Sequence, residues 1–129
     1  MEPPQFNPIS PAMRKRLDKW QAEHEGEPQG EIATKLLFED DKVKIWEMWL
    51  EPGQGSALHR HNYDYYLVML SGDKIAGIPP KVAGAPPFVA DLPPGGTTVF
   101  VKGGDTEWAV NVGKETFYEI VVELKDQPR

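Results

Sequence analysis

Cysteine is absent from the 129 residues. That excludes disulfides, thiolate metal ligands and cysteine nucleophiles together, and it fits a reducing compartment. Positive charge is scarce: 14 Lys and Arg stand against 20 Asp and Glu, for a net charge of −6. Such a chain is poorly suited to tracking a phosphate backbone, so nucleic acid is not an expected partner. No apolar run reaches the ~18 residues that suggest a membrane span. The start, MEPPQFNPIS, lacks the basic and apolar segments of a signal peptide. These absences predict a cytoplasmic protein without membrane contact. Histidine is also rare, with three in the chain, so where they fall carries weight.

The length suits one domain with one core. Thirteen prolines and twelve glycines favour many short elements joined by turns over a helical bundle. Residues 1–9 read as an extended arm. Ser10-Pro11 is a helix start, because serine caps and proline is preset for the first helical position. Met13, Leu17 and Trp20 then recur at helical spacing until Gly26 and Pro28. From Glu31 the period shortens. KVKIWEMWLEP alternates, and strand-like runs follow at 57–61, 64–71, 73–78, 87–92, 97–102, 106–112 and 116–124. This pattern predicts an all-β sandwich or barrel. The expected organisation is an arm and helix over 1–30, a barrel over 31–125 and a tail over 126–129.

Two of the three histidines, His59 and His61, fall in PGQGSALHRHNYDYYLVMLSG. In a strand they point to the same side, because side chains repeat every two residues. Neutral imidazole is a common ligand for zinc, iron, nickel and copper. Alternatively, the two are ordinary residues of a strand. Two histidines do not close a catalytic metal site, which usually takes three protein ligands. His24, among Glu23, Glu25 and Glu27, reads as a solvated residue at the helix end. A carboxylate on another strand is the better third ligand.

Two spacings resemble the cupin signatures. Gly53, five residues, His59-x-His61, three residues, Tyr65, six residues and Gly72 resembles the first, with Tyr65 where the family has glutamate. Gly96, five residues, Lys102-Gly103-Gly104, two residues, Glu107, three residues and Asn111 resembles the second, with Lys102 for proline and Glu107 for histidine. The likeness spans residues 40–124. HRHNYDYYLV and FYEIVVELK further resemble small single-domain bacterial cupins of β-alanine breakdown. The resemblance implies a double-stranded β-helix, or jelly-roll, barrel behind one N-terminal helix, and a homodimer. It implies His59, His61 and Glu107 as ligands of Fe(II), Mn(II), Zn(II) or Ni(II). Two imidazoles and one carboxylate are the ligand count of the non-haem iron facial triad.

The changed positions leave a metal-free site open. There His59 or His61 moves a proton, Glu107 orients it or acts as the acid, and Tyr65 donates to a substrate oxygen. Tyr65 reads equally as core. Asp64 is one residue out of phase and remains a reserve ligand. By the parity taken from the signatures, Trp46, Met48, Leu50, Leu67, Met69, Phe100 and Ala109 face inward, and Trp46, Met48, Met69 and Phe100 are the expected substrate pocket. Ile45, Trp49 and Trp108 face outward, to a dimer partner or to the helix.

The functions implied are a metal-dependent enzyme on a small oxygenated molecule (dioxygenase, isomerase, lyase or dehydratase), a metal-free dehydratase, cyclase or isomerase, and a small-ligand binding module. A 2-oxoglutarate oxygenase is disfavoured. It needs a cation for the far carboxylate, and Arg14, Arg16, Arg60 and Arg129 all lie off the inward positions of the later strands.

Overall fold

The computed structural model describes residues 2–129. The elements run β1 (Gln5–Phe6), α1 (Pro11–His24), β2 (Lys35–Glu39), β3 (Val43–Leu50), β4 (His59–Arg60), β5 (Tyr63–Ser71) and β6 (Lys74–Ile78). A 3₁₀ turn (Lys81–Ala83) precedes β7 (Phe88–Asp91), β8 (Thr97–Val101), β9 (Thr106–Asn111) and β10 (Phe117–Pro128). Two five-stranded antiparallel sheets result, in the orders β1-β7-β6-β9-β4 and β2-β3-β10-β5-β8. They face each other as a jelly roll preceded by one helix. No helix among the described residues is long and apolar enough to cross a membrane.

The helix begins where its cap requires. Ser10 Oγ accepts from the Met13 amide at 3.1 Å, and Pro11 occupies the first turn. Leu17 is buried, with Met13 and Trp20 packed around it, against Leu58, Ile78, Trp108 and Val110. The helix therefore covers the outer face of the first sheet. Trp108 points away from the barrel interior as its parity demands, yet it is buried, because α1 lies over it. Trp49 stays exposed on the second sheet.

Two further clusters fill the space between the sheets. Met48, Leu50, Met69, Ile75, Ala90 and Phe117 form one, and Ile32, Trp46, Tyr65 and Val121 the other. Three stretches differ from the sequence reading. Gln5 and Phe6 of the arm pair with Asp91 and Ala90, adding a strand to the first sheet. Residues 35–39 form an edge strand that alternation does not reveal, because all five side chains are exposed. The last strand runs through Pro128, across residues expected as a tail, and the Arg129 guanidinium binds the Asp64 carboxylate at 2.7 and 2.8 Å.

Candidate metal and substrate site

Register brings the site together. His59 lies directly opposite Glu107 in the β4–β9 pair, and opposed residues of an antiparallel pair project to the same side. Both face the interior, while their neighbours Leu58 and Trp108 face α1. His61 lies two residues beyond His59. Its Nε2 is 4.0 Å from Glu107 Oε1. One ligand atom from each of His59, His61 and Glu107 lies within 4.8 Å of the others. This is the expected trio: His59 comes from β4, Glu107 from β9 and His61 from the link between β4 and β5.

The imidazoles are set for ligation. His59 Nδ1 donates to the Ala57 carbonyl at 2.9 Å, which leaves Nε2 with its lone pair. Burial holds His59 below the usual histidine range. Burial, with His59 alongside, pushes His61 down to about 3. Both rings are therefore neutral at pH 7, as ligands must be. His61 Nδ1 is buried and has no hydrogen-bond partner. Glu107 is pushed up to about 7, first by desolvation and then by the Asp105 charge. A cation beside it would relieve both. The donor set and its surroundings fit a divalent ion.

Tyr65 faces inward, stacked on His61 with ring centroids 3.9 Å apart and planes 12° from parallel. Burial, then the surrounding carboxylates, push its phenol upward, so it keeps its proton. Asp64 points away, as its parity requires. It is held by Arg129 and accepts from the Gly103 amide at 3.0 Å, so it is not a ligand of this site. His24 also lies elsewhere, stacked on Trp20 at 3.8 Å.

A cavity of about 370 Å³ opens beside the trio. Met48 and Met69 line it, with Leu67, Val99, Val101, Ala109, Phe117 and Val121. Two expected pocket residues do not. Phe100 is 51% exposed. The β5–β8 register pairs Tyr65 with Val101 and Leu67 with Val99, so the odd residues of β8 point inward, and Phe100 pairs outward with Tyr66. Trp46 is buried but does not line the cavity. Its indole N–H needs a partner and finds Glu123 Oε1 at 2.8 Å.

Several residues of the cavity escape the sequence reading. Glu119, on β10, is 5% exposed and lines the cavity. Desolvation and the Glu107 charge push it up to about 8. Its signal is parity: Phe117, Glu119, Val121 and Glu123 alternate with outward residues. Asp105 lies at the wall near Glu107. Gly77 lies where any Cβ would meet the Phe88 ring and come within 2.7 Å of Glu107 Oε2. The arm contributes Pro4 and Phe6 to the lining, with Phe6 edge-on to Phe88 at 5.5 Å.

No family model matches the chain, and a search of curated proteins finds no relative. Solved structures do resemble it. A cupin domain protein from Bordetella pertussis Tohama I is 20% identical, with a TM-score of 0.59 over 74% of this chain and 99% of its own. A protein with a double-stranded β-helix domain from Klebsiella pneumoniae is 20% identical, with a TM-score of 0.56 over 81% of this chain and 86% of its own. An oxalate oxidase is 20% identical, with a TM-score of 0.50 over 67% of this chain and 44% of its own. The order of strands, the two facing sheets and these likenesses give the chain the cupin double-stranded β-helix fold.

Proposed function

We propose that the protein is a metal-dependent enzyme acting on a small molecule in the barrel cavity. The observation that carries this reading is the convergence of His59, His61 and Glu107 within 4.8 Å at the wall of an apolar cavity. Those three residues would hold the ion, whose identity among Fe(II), Mn(II), Zn(II) and Ni(II) is left to measurement. When bound, it supplies a Lewis acid with open positions for substrate. The Ala57 carbonyl orients His59, and the Tyr65 phenol, which keeps its proton, can donate to a substrate oxygen. Reactions within reach are dioxygenation and metal-assisted isomerisation, elimination or dehydration. The likeness to an oxalate oxidase is one of fold and does not bring that substrate here.

Elemental analysis of protein purified without a histidine tag or chelator tests the reading. Near-stoichiometric metal is expected. Glu107→Gln should lower it by about tenfold or more in affinity, and Glu107→His should retain it, since imidazole suits most first-row metals. Equal metal content in wild type and the glutamine variant would count against a carboxylate ligand.

One observation favours a second reading. Glu107, pushed up to about 7, is poised near neutrality as a general acid. A metal-free proton-transfer enzyme would then use Glu107, a histidine and Tyr65. Full turnover after exhaustive chelation would select it. A binding module without turnover is the remaining alternative.

A further inference from the structure

The cavity described above has one polarity. Asp105, Glu107 and Glu119 line it, and among the described lining residues there is neither lysine nor arginine. Arg129, the arginine at the barrel's edge, is committed to Asp64. The rest of the wall is apolar apart from the histidines and Tyr65. Glu119 is 5% exposed, and no hydrogen-bond donor reaches its carboxyl among the described residues. Among the described residues the fully enclosed polar atoms without a partner are Trp20 Nε1 and His61 Nδ1, so the Glu119 carboxyl reaches the cavity space itself. Its position in the cavity wall leaves the partner to come from whatever enters.

Glu107 is assigned to the metal, or to proton transfer, by the reading above. Glu119 has no part in either, so it is free to select substrate. A carboxylate ligand would meet no lysine or arginine in this wall and would have to share it with Asp105, Glu107 and Glu119. A ligand with a donating, cationic end would satisfy Glu119, and its apolar body would fill the remaining wall. We infer that the cavity selects an apolar molecule ending in an amine, and that Glu119 is the residue that binds that end. The inference rests on the cavity being the working site. It narrows the substrate from any small oxygenated molecule to one with an amine.

Benzylamine, benzyl alcohol and benzoate share a carbon skeleton and differ at the polar end, so they make a matched set of probes. Binding is measured at pH 7 by titration calorimetry, on the protein as purified and after chelation, for wild type and Glu119→Gln. On the chelated wild type, benzylamine should bind about tenfold or more tighter than benzoate, with the alcohol between, the factor one charge-assisted hydrogen bond supplies. Glu119→Gln should abolish that preference. Equal or tighter benzoate binding, no binding of any probe, or an amine preference unchanged in the variant would each overturn the inference. The wild-type ranking stands alone if the variant fails to fold. Metal content is read separately. Absence of metal with the amine preference intact would sink the metal reading and leave this one. Metal bound with benzoate preferred would do the reverse.

Discussion

Gly77 contributes no side chain to the cavity, and that absence positions Glu107. Strand β6 passes between β7 and β9, with Gly77 paired to Phe88 on one side and to Ala109 on the other. The Phe88 ring and Glu107 Oε2 share the space a Cβ would take. Gly77→Ala should therefore displace the carboxylate. A loss of about 10–100-fold in metal affinity is expected, as for other residues that orient a ligand, with little change in melting temperature, because Phe88 is 40% exposed and can swing outward. Unchanged metal affinity would mean that the carboxylate finds its position without the glycine. The trio itself was legible in the sequence, because His59-x-His61 and Glu107 stand at signature spacings. Glu119 was not. A glutamate between apolar residues near the end of a strand reads as solvent-facing, and it took the β10 register with β3 and β5, Glu119 opposite Met48 and Met69, to turn it inward. Phe100 was expected in the pocket and is exposed. The parity taken from the signatures put it inward, while the β5–β8 register turns the odd residues of that strand inward and Phe100 outward.

At the scale of elements, the start and buried face of the helix were legible, since Ser10-Pro11 fixes its first turn and its apolar spacing fixes its face. Leu17 is 1% exposed and central to that face. Leu17→Ala should cost about 2–5 kcal/mol in urea denaturation and leave metal content unchanged, because the helix covers the sheet face opposite the cavity. Loss of metal in a variant that remains folded would show the helix coupled to the site. Strand β2 was not legible. Both its faces are exposed, so KLLFE carries no alternation, and a bulge between Leu36 and Phe38 breaks its register with β3. It is nevertheless the edge of the second sheet, with Leu36, Leu37 and Phe38 all exposed. An open apolar edge strand is a template for pairing with another chain, and a second copy presents the same edge. The homodimer remains a proposal. Sedimentation should give a dimer for wild type and half that mass for Phe38→Glu. A wild-type monomer across the concentration range would retire it.

At the scale of the whole molecule, His59, His61 and Asp64 oppose Glu107 and Glu119, and stability should follow pH accordingly. Burial lowers His61 from 6.5 to about 3 and moves His59 the same way. Between those limits the unfolded chain holds a proton that the folded one lacks, so stability rises with pH and is complete above about 6.5. Asp64, lowered from 3.8 to about 2 by Arg129 and the Gly103 amide, adds to the same acid limb at lower pH. Glu107 and Glu119 act oppositely. Raised from 4.5 to about 7 and about 8, they hold protons in the folded chain that the unfolded chain has released, so stability falls as pH rises between those values. From about pH 4.5 to 6.5 the two sets oppose each other. Above 6.5 the histidines contribute nothing further, and the carboxyls alone set the slope. The metal-free protein should therefore melt at progressively lower temperature from pH 6.5 to about pH 8.5. Glu119→Gln should flatten that limb, because its amide does not titrate. A metal that binds the ionised Glu107 should flatten it as well, since binding then compensates the charge that folding buries. Melting curves recorded across this range, with chelator and with each candidate ion, check the sign. A melting temperature that rises toward pH 8.5 without metal would mean that these two carboxyls are already ionised and partnered in the folded chain.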